Sequence, residues 1–146
     1  MKRPSHDEYF MNMAKLAATR GNCYRRQVGC VLVDASNHIL ATGYNGIPRG
    51  YEHCEIGKCP RENMEPGSNL HICLAVHAEI NALMQCRDVD KIDRVYVTHS
   101  PCLNCTVVLL NTWANGIIFA ENYPGDGTPE KIWTKQSRIW RQHEAK

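Results

Sequence analysis

The pattern of apolar and polar positions changes period several times along the chain, and each change marks an element. Phe10, Met13, Ala14 and Ala17 recur at helical spacing behind S-H-D-E at 5–8, where Ser5 and Glu8 have the form of a capping box. This predicts a first helix over about 7–20, stopped at Gly21. VGCVLV (28–33) is a continuous apolar run rich in β-branched residues, and HILATGY (38–44) follows it across the turn-forming D-A-S-N, as in an antiparallel hairpin. From 45 to about 69 the chain is rich in Gly, Pro, Asn and charge and has no sustained period; a loop this long in one domain is functional or braced by something. Helical spacing returns at about 76–87, then come a strand at 94–98 (RVYVT) and a helix from about Cys102 to the A-N-G of 114–116. The strand IIFA (117–120) precedes a last helix from about Thr128, whose Trp133, Ile139 and Trp140 would dock on the body.

After the hairpin, strands alternate with helices, which indicates a mixed sheet covered by helices and places the helix starts near 77 and 102 side by side. The length, 146 residues, suits a single domain spanning 1–146 that buries about two thirds of its unfolded surface without disulfides. With 22% charged residues and a net charge of +2, the chain is neither disordered in composition nor basic enough to argue for nucleic acid. The N-terminus MKRPSHDEYF has no apolar signal core, and no apolar run approaches the roughly 20 residues needed to cross a bilayer. A soluble, cytoplasmic protein with no membrane partner is expected. Its eight cysteines are then expected to be reduced thiols, several holding metal, with Cys30 and Cys86 read as core residues within apolar patterns.

The cysteines gain a chemical meaning from two short stretches. Residues 77–79 read H-A-E and residues 101–105 read P-C-L-N-C. Cys102 and Cys105, three apart at a helix N-terminus, share one face and gain from the free N–H groups there, which suits two thiolate ligands of one tetrahedral zinc. His77 supplies a third ligand. Residues two apart point away from each other in mid-helix, so His77 and Glu79 serve one site only if the helix begins close to His77. Three protein ligands leave a position for water, the arrangement of a catalytic zinc, and Glu79 is placed to move protons between that water and a substrate. H-x-E followed by P-C-x-x-C is the signature of zinc nucleobase deaminases.

Through QVGCVLVD, TGYNGIP, VHAEINAL and YVTHSPCLNC, from the first helix to about Tyr123, the chain resembles the cytidine deaminase superfamily and within it the deoxycytidylate (dCMP) deaminases. The resemblance implies a three-layer α/β/α fold with a five-stranded mixed sheet, the fifth strand coming from the family because the tail shows no clear strand. It implies zinc on His77, Cys102 and Cys105, proton transfer by Glu79, and hydrolysis of dCMP to dUMP and ammonia, which feeds thymidylate synthesis. It makes Asn45 a candidate sugar contact and sets Tyr44 and Gly46 near a regulatory site for dCTP and dTTP, where Mg2+ would accompany the nucleotide. Arg26, with Arg25 and Arg49, is a supply of cationic donors for the monophosphate, and Tyr123 is a candidate for the base or sugar pocket. Family members assemble as homo-oligomers, often hexamers.

A second, structural zinc is expected from Cys23, Cys54, His71 and Cys73, with Cys59 able to replace His71 or Cys73 and His53 adjacent. Cys23 and Cys54 match ligand positions of some relatives. Rival readings are deamination of dCTP, cytidine or deoxycytidine, and a non-catalytic zinc module. An editing enzyme would need a nucleic-acid surface, for which Trp133, Arg138, Trp140 and Arg141 are a weak patch that core packing explains better.

Overall fold

A computed structural model describes residues 1–52 and 73–144, built around one five-stranded sheet of order β2-β1-β3-β4-β5. The elements are α1 (His6–Ala18), β1 (Gly29–Val33), β2 (Ile39–Tyr44), α2 (Ala78–Gln85), β3 (Arg94–His99), α3 (Leu103–Leu110), β4 (Gly116–Glu121), α4 (Thr128–Thr134) and β5 (Ile139–Gln142). β1 runs antiparallel to β2 and β3, whereas β3, β4 and β5 are mutually parallel, so the sheet is mixed.

The local chemistry explains these elements. At the start of α1 the Ser5 hydroxyl accepts from the Glu8 N–H and the Glu8 carboxylate accepts from the Ser5 N–H, the reciprocal cap expected there. The hairpin turns at Asn37, in the left-handed region at φ 65, which asparagine tolerates better than most residues, and its side-chain oxygen accepts from the Arg94 guanidinium. β1 is buried along its whole length because it has a helix layer on each face, which is why its sequence is continuously apolar. Val31 and Val33 join Phe10, Met11 and Ala14 of α1, with Tyr96 and Ile118, while Cys30 and Leu32 face the other way. There they meet Ala78 and Ala82 of α2, Leu109 of α3 and Trp133 of α4. The result is the expected three-layer α/β/α arrangement, with Cys30 and Cys86 in the core.

The tail corrects one expectation. Ile139 and Trp140 do not continue the last helix. The chain leaves α4 after Thr134, turns through Ser137 at φ 61, and returns as β5 beside β4. Three contacts stabilise the reversal: Trp133 Nε1 donates to the Ile139 carbonyl at 2.8 Å, and Arg138 donates to the carbonyls of Leu110 and Ala114 at 3.0 and 3.1 Å. The bond to Leu110 satisfies the C-terminal end of α3 with a cation, as a helix dipole favours, and the bond to Ala114 holds the turn that follows.

α2 lies unusually close to β2. A Cβ on Gly43 would stand 2.4 Å from the Ala78 carbonyl oxygen and 2.4 Å from the Ala82 nitrogen, so only glycine lets the backbones approach this far. No helix among the described residues is long and apolar enough to cross a membrane.

Candidate metal centre and active site

Two helix starts converge. His77 is the N-cap residue of α2 and Cys102 the N-cap of α3, and neither side chain caps its own helix, so both are available to a ligand. The residue before His77 is pinned: Val76 and Gly46 exchange N–H···O bonds of 2.8 and 3.1 Å in an isolated antiparallel bridge. The Asn81 side chain adds a bond to the Tyr44 carbonyl at 2.8 Å, seating the first turn of α2 on the end of β2. Glu79 therefore occupies that first turn, as the spacing of H-A-E required.

His77 Nδ1 lies 3.4 Å from Cys102 Sγ and 3.3 Å from Cys105 Sγ, and the three potential ligand atoms all fall within 4.8 Å of one another. A tetrahedral zinc with bonds of about 2.3 Å to sulfur and about 2.0 Å to nitrogen needs N···S separations of roughly 3.5 Å. One imidazole and two thiols at that spacing fit zinc, and of the described residues they are the one such group.

The imidazole and the two thiols shift one another's proton affinities at this spacing. A bond from the Cys105 thiol, aided by His77, drives the Cys102 thiol down to about 4 despite burial. The same contact, with burial and the Glu79 charge, pushes Cys105 upward. The bond to Cys102 raises the His77 imidazole against the effect of burial. A bound divalent cation replaces this shared proton, making both thiols thiolates and the imidazole neutral. Glu79 is 4% exposed, and burial pushes its carboxyl up to about 7, against its own backbone N–H bond and the His77 charge. A buried carboxyl with its proton affinity raised beside residues that fit a metal is suited to carrying protons in both directions.

The residues expected to meet a nucleotide fall around this centre in different ways. Arg26 and Tyr123 come together, with the guanidinium 4.5 Å from the centre of the tyrosine ring. Asn45 is buried with its amide facing the backbone: Oδ1 accepts from the Val28 N–H and Nδ2 donates to the Arg26 carbonyl, both at 2.8 Å, so it holds the segment carrying Arg26. Tyr44 is exposed at the end of β2, and Gly46 packs where a Cβ would press on the Asn22 amide at 2.9 Å. Arg49 is exposed. Cys23 and Cys73 are free, partly exposed thiols, whereas Cys54 and His71, like Cys59 and His53, lie outside the described residues.

Among the described tail residues, Trp133, Arg138 and Arg141 are engaged within the fold. Trp133 is fully buried, Arg138 is bound to carbonyls over the Trp133 ring at 4.9 Å, and Arg141 pairs with Asp7 at 2.8 Å.

Sequence reasoning missed several neighbours of the centre. A cleft of about 250 Å³ opens beside Cys102, lined in part by Ser100, Asn122, Tyr123 and Trp140. At the end of β3, Thr98 Oγ1 accepts from the Gly29 N–H at 3.2 Å and lies 3.1 Å from His99 Nδ1, while His99 Nε2 lies 3.3 Å from Glu121. The only signal for these was nearness to P-C-L-N-C, since apart from the adjacent Thr98–His99 pair their partners are 22 or more residues away in sequence.

Comparison with known proteins agrees with this geometry. The model of the cytidine and deoxycytidylate deaminase zinc-binding region matches residues 4–121. The deoxycytidylate deaminase of Saccharomyces cerevisiae is 43% identical over 134 residues, covering 90% of this chain and 43% of the yeast protein. The chain thus spans less than half the length of that relative. The deoxycytidylate deaminase of Mycobacterium phage D29 is 39% identical over 127 residues, 82% of this chain and 97% of the phage protein. The crystal structure of dCMP deaminase from cyanophage S-TIM5 in complex with dCMP and dUMP superposes with a TM-score of 0.77 at 25% identity, covering 98% of this chain and all of that one.

Proposed function

The chain belongs to the cytidine and deoxycytidylate deaminase zinc-binding family, and we propose that it hydrolyses dCMP to dUMP and ammonia, supplying dUMP for thymidylate synthesis. The observation that carries this reading is the convergence of His77, Cys102 and Cys105 at two helix starts with the buried carboxyl of Glu79 beside them. The relatives named above supply the substrate class.

Under this reading His77, Cys102 and Cys105 hold the zinc, which when bound supplies a water acidified towards neutrality. Glu79 accepts the proton of that water and delivers it to N3 of cytosine as the oxygen adds to C4. Glu79 would then take the remaining proton from the hydroxyl added at C4 and give it to the amine; the C4–N4 bond breaks, ammonia leaves, and the C4 carbonyl of dUMP remains. The raised affinity of Glu79 for protons, caused by burial, lets one carboxylate both take and give. Arg26 and Tyr123 form one wall for the nucleotide, Arg26 giving charged N–H donors to the monophosphate. Asn45, whose amide is anchored to the same segment, is the candidate for sugar contact by family resemblance.

The finer features follow the family reading. Cys23 and Cys73, with Cys54 and His71, would hold a second, structural zinc; two zinc ions per chain in metal analysis would support this and one would refute it. Tyr44 and Gly46 would serve a regulatory site where dCTP activates and dTTP inhibits, with Mg2+ on the regulatory nucleotide, in a homo-oligomer such as a hexamer. Ammonia release from dCMP, dCTP, deoxycytidine and cytidine, with and without dCTP or dTTP, tests the proposal. A preference for dCMP supports it, and a preference for a nucleoside refutes the substrate assignment.

A further inference from the structure

Ser100 stands between the end of β3 and the Pro101-Cys102 pair, and its hydrogen bonds reach the last residue of β4 and the two residues that follow it. It is 5% exposed. Its Oγ accepts from the Tyr123 N–H at 2.6 Å and donates to the Asn122 side-chain oxygen at 3.2 Å, while its own N–H donates to the Glu121 carbonyl at 2.9 Å. Three consecutive residues, 121 to 123, are thereby tied to the residue two before a metal ligand. Beyond it, Gly125 and Gly127 border open space, with no atom within 4 Å of where a Cβ would stand.

We propose that Ser100 is a positioning residue for nucleotide binding: its hydroxyl fixes the backbone at Tyr123, which keeps the tyrosine ring beneath the Arg26 guanidinium and registers that wall against Cys102. The inference rests on the deaminase reading above, and it assigns to the serine a task that neither zinc ligation nor proton transfer includes. A mobile Tyr123 would weaken capture of the nucleotide. It would leave Glu79, on α2, untouched, so the effect falls on binding rather than on the chemical step.

The test uses the zinc-loaded chain and dCMP. Ser100→Ala should raise KM about fivefold, the weight of one net hydrogen bond, with kcat within about twofold. Zinc content should be unchanged, and calorimetric binding of dUMP should weaken by the same factor. In a Tyr123→Ala background, Ser100→Ala should add nothing further, because the serine acts through the tyrosine. Ser100→Cys, close in shape but a weak acceptor, is the second variant should alanine fail to fold, and it predicts the same direction. An unchanged KM and dUMP affinity, a fall in kcat at constant KM, or an undiminished effect in the Tyr123→Ala background would each overturn the proposal. A wild-type protein that releases no ammonia from dCMP overturns the deaminase reading itself and removes the premise of this one.

Discussion

Gly43→Ala should lower stability and activity together, although the residue touches neither metal ligand nor substrate. Gly43 pairs with Cys30 in the sheet, and the added Cβ would stand 2.4 Å from the Ala78 carbonyl oxygen, 2.4 Å from the Ala82 nitrogen and 2.9 Å from the Ala82 Cα. All three are main-chain atoms of α2, so no side-chain rotation relieves the contact. Ordinary separation begins at 3.4 Å, so the helix must retreat by about 1 Å. Overpacking of this kind costs about 1–3 kcal/mol, which at this chain length is a fall in Tm of about 3–10 °C. The same shift moves His77 and Glu79, which sit at the start of α2, and a misplacement of about 1 Å at a reacting centre lowers turnover about 100-fold. Thermal melting by circular dichroism, zinc content and dCMP turnover read these effects in one preparation. Gly116→Ala is the control, since its Cβ would meet neighbours at 3.6 Å or more and should change none of them. A Gly43→Ala protein with Tm within about 1 °C and turnover within about twofold of wild type would refute the idea that close α2–β2 packing places the site.

Other expectations follow from single contacts. Cys105→Ser should lose catalytic zinc, and a chelator should lower the Tm of the wild type, because a metal that binds the native state stabilises it by mass action. Metal analysis and melting check both; retained zinc in the variant contradicts the ligand assignment. Trp133→Ala empties a fully buried position and removes the bond to the Ile139 carbonyl, so it should cost about 3–5 kcal/mol, read as a lower urea midpoint. Burial raises the Asp7 carboxyl, but the Tyr96 hydroxyl and Arg141 outweigh it and hold it below its ordinary value. A depressed pKa gives stability that is present above the unfolded value, near 4, and lost as pH falls through the folded one. Asp7→Asn should therefore melt lower near neutrality and show a shallower decline below about pH 4 than wild type; parallel curves would contradict the linkage.

Where periodicity and caps agreed, the sequence located elements closely. The capping box at Ser5, the hairpin at 28–44 and the strands at 94–98 and 117–120 all recur in the structure within a residue or two. The start of α2 was legible for a chemical reason: two residues two apart can share a site only at a helix end, and His77 is the N-cap. The metal cluster was legible because its two halves lie in short, dense motifs. β5 was not, since I-W-R-Q is four residues at the edge of the sheet, half-buried only at Trp140, and its placement depends on a turn at Ser137 and on Arg138 reaching α3. Arg26, Asn45 and Ser100 illustrate the same limit. Arg26 and Asn45 were candidates for binding and Ser100 was not; that Asn45 and Ser100 grip the backbones carrying Arg26 and Tyr123 depends on pairings that no local pattern contains.

The central claim is that Glu79 moves protons beside a zinc held by its neighbours, and Glu79→Gln tests it most directly. Glutamine keeps the shape and a hydrogen-bonding oxygen but cannot take up or release a proton at pH 7. General acid–base catalysis contributes about 10²–10⁴-fold per proton-transfer role, and Glu79 is assigned more than one, so kcat for dCMP should fall by at least 1,000-fold while zinc content stays at the wild-type level. A Glu79→Gln protein that retains zinc and converts dCMP to dUMP within about tenfold of the wild-type rate would contradict the account.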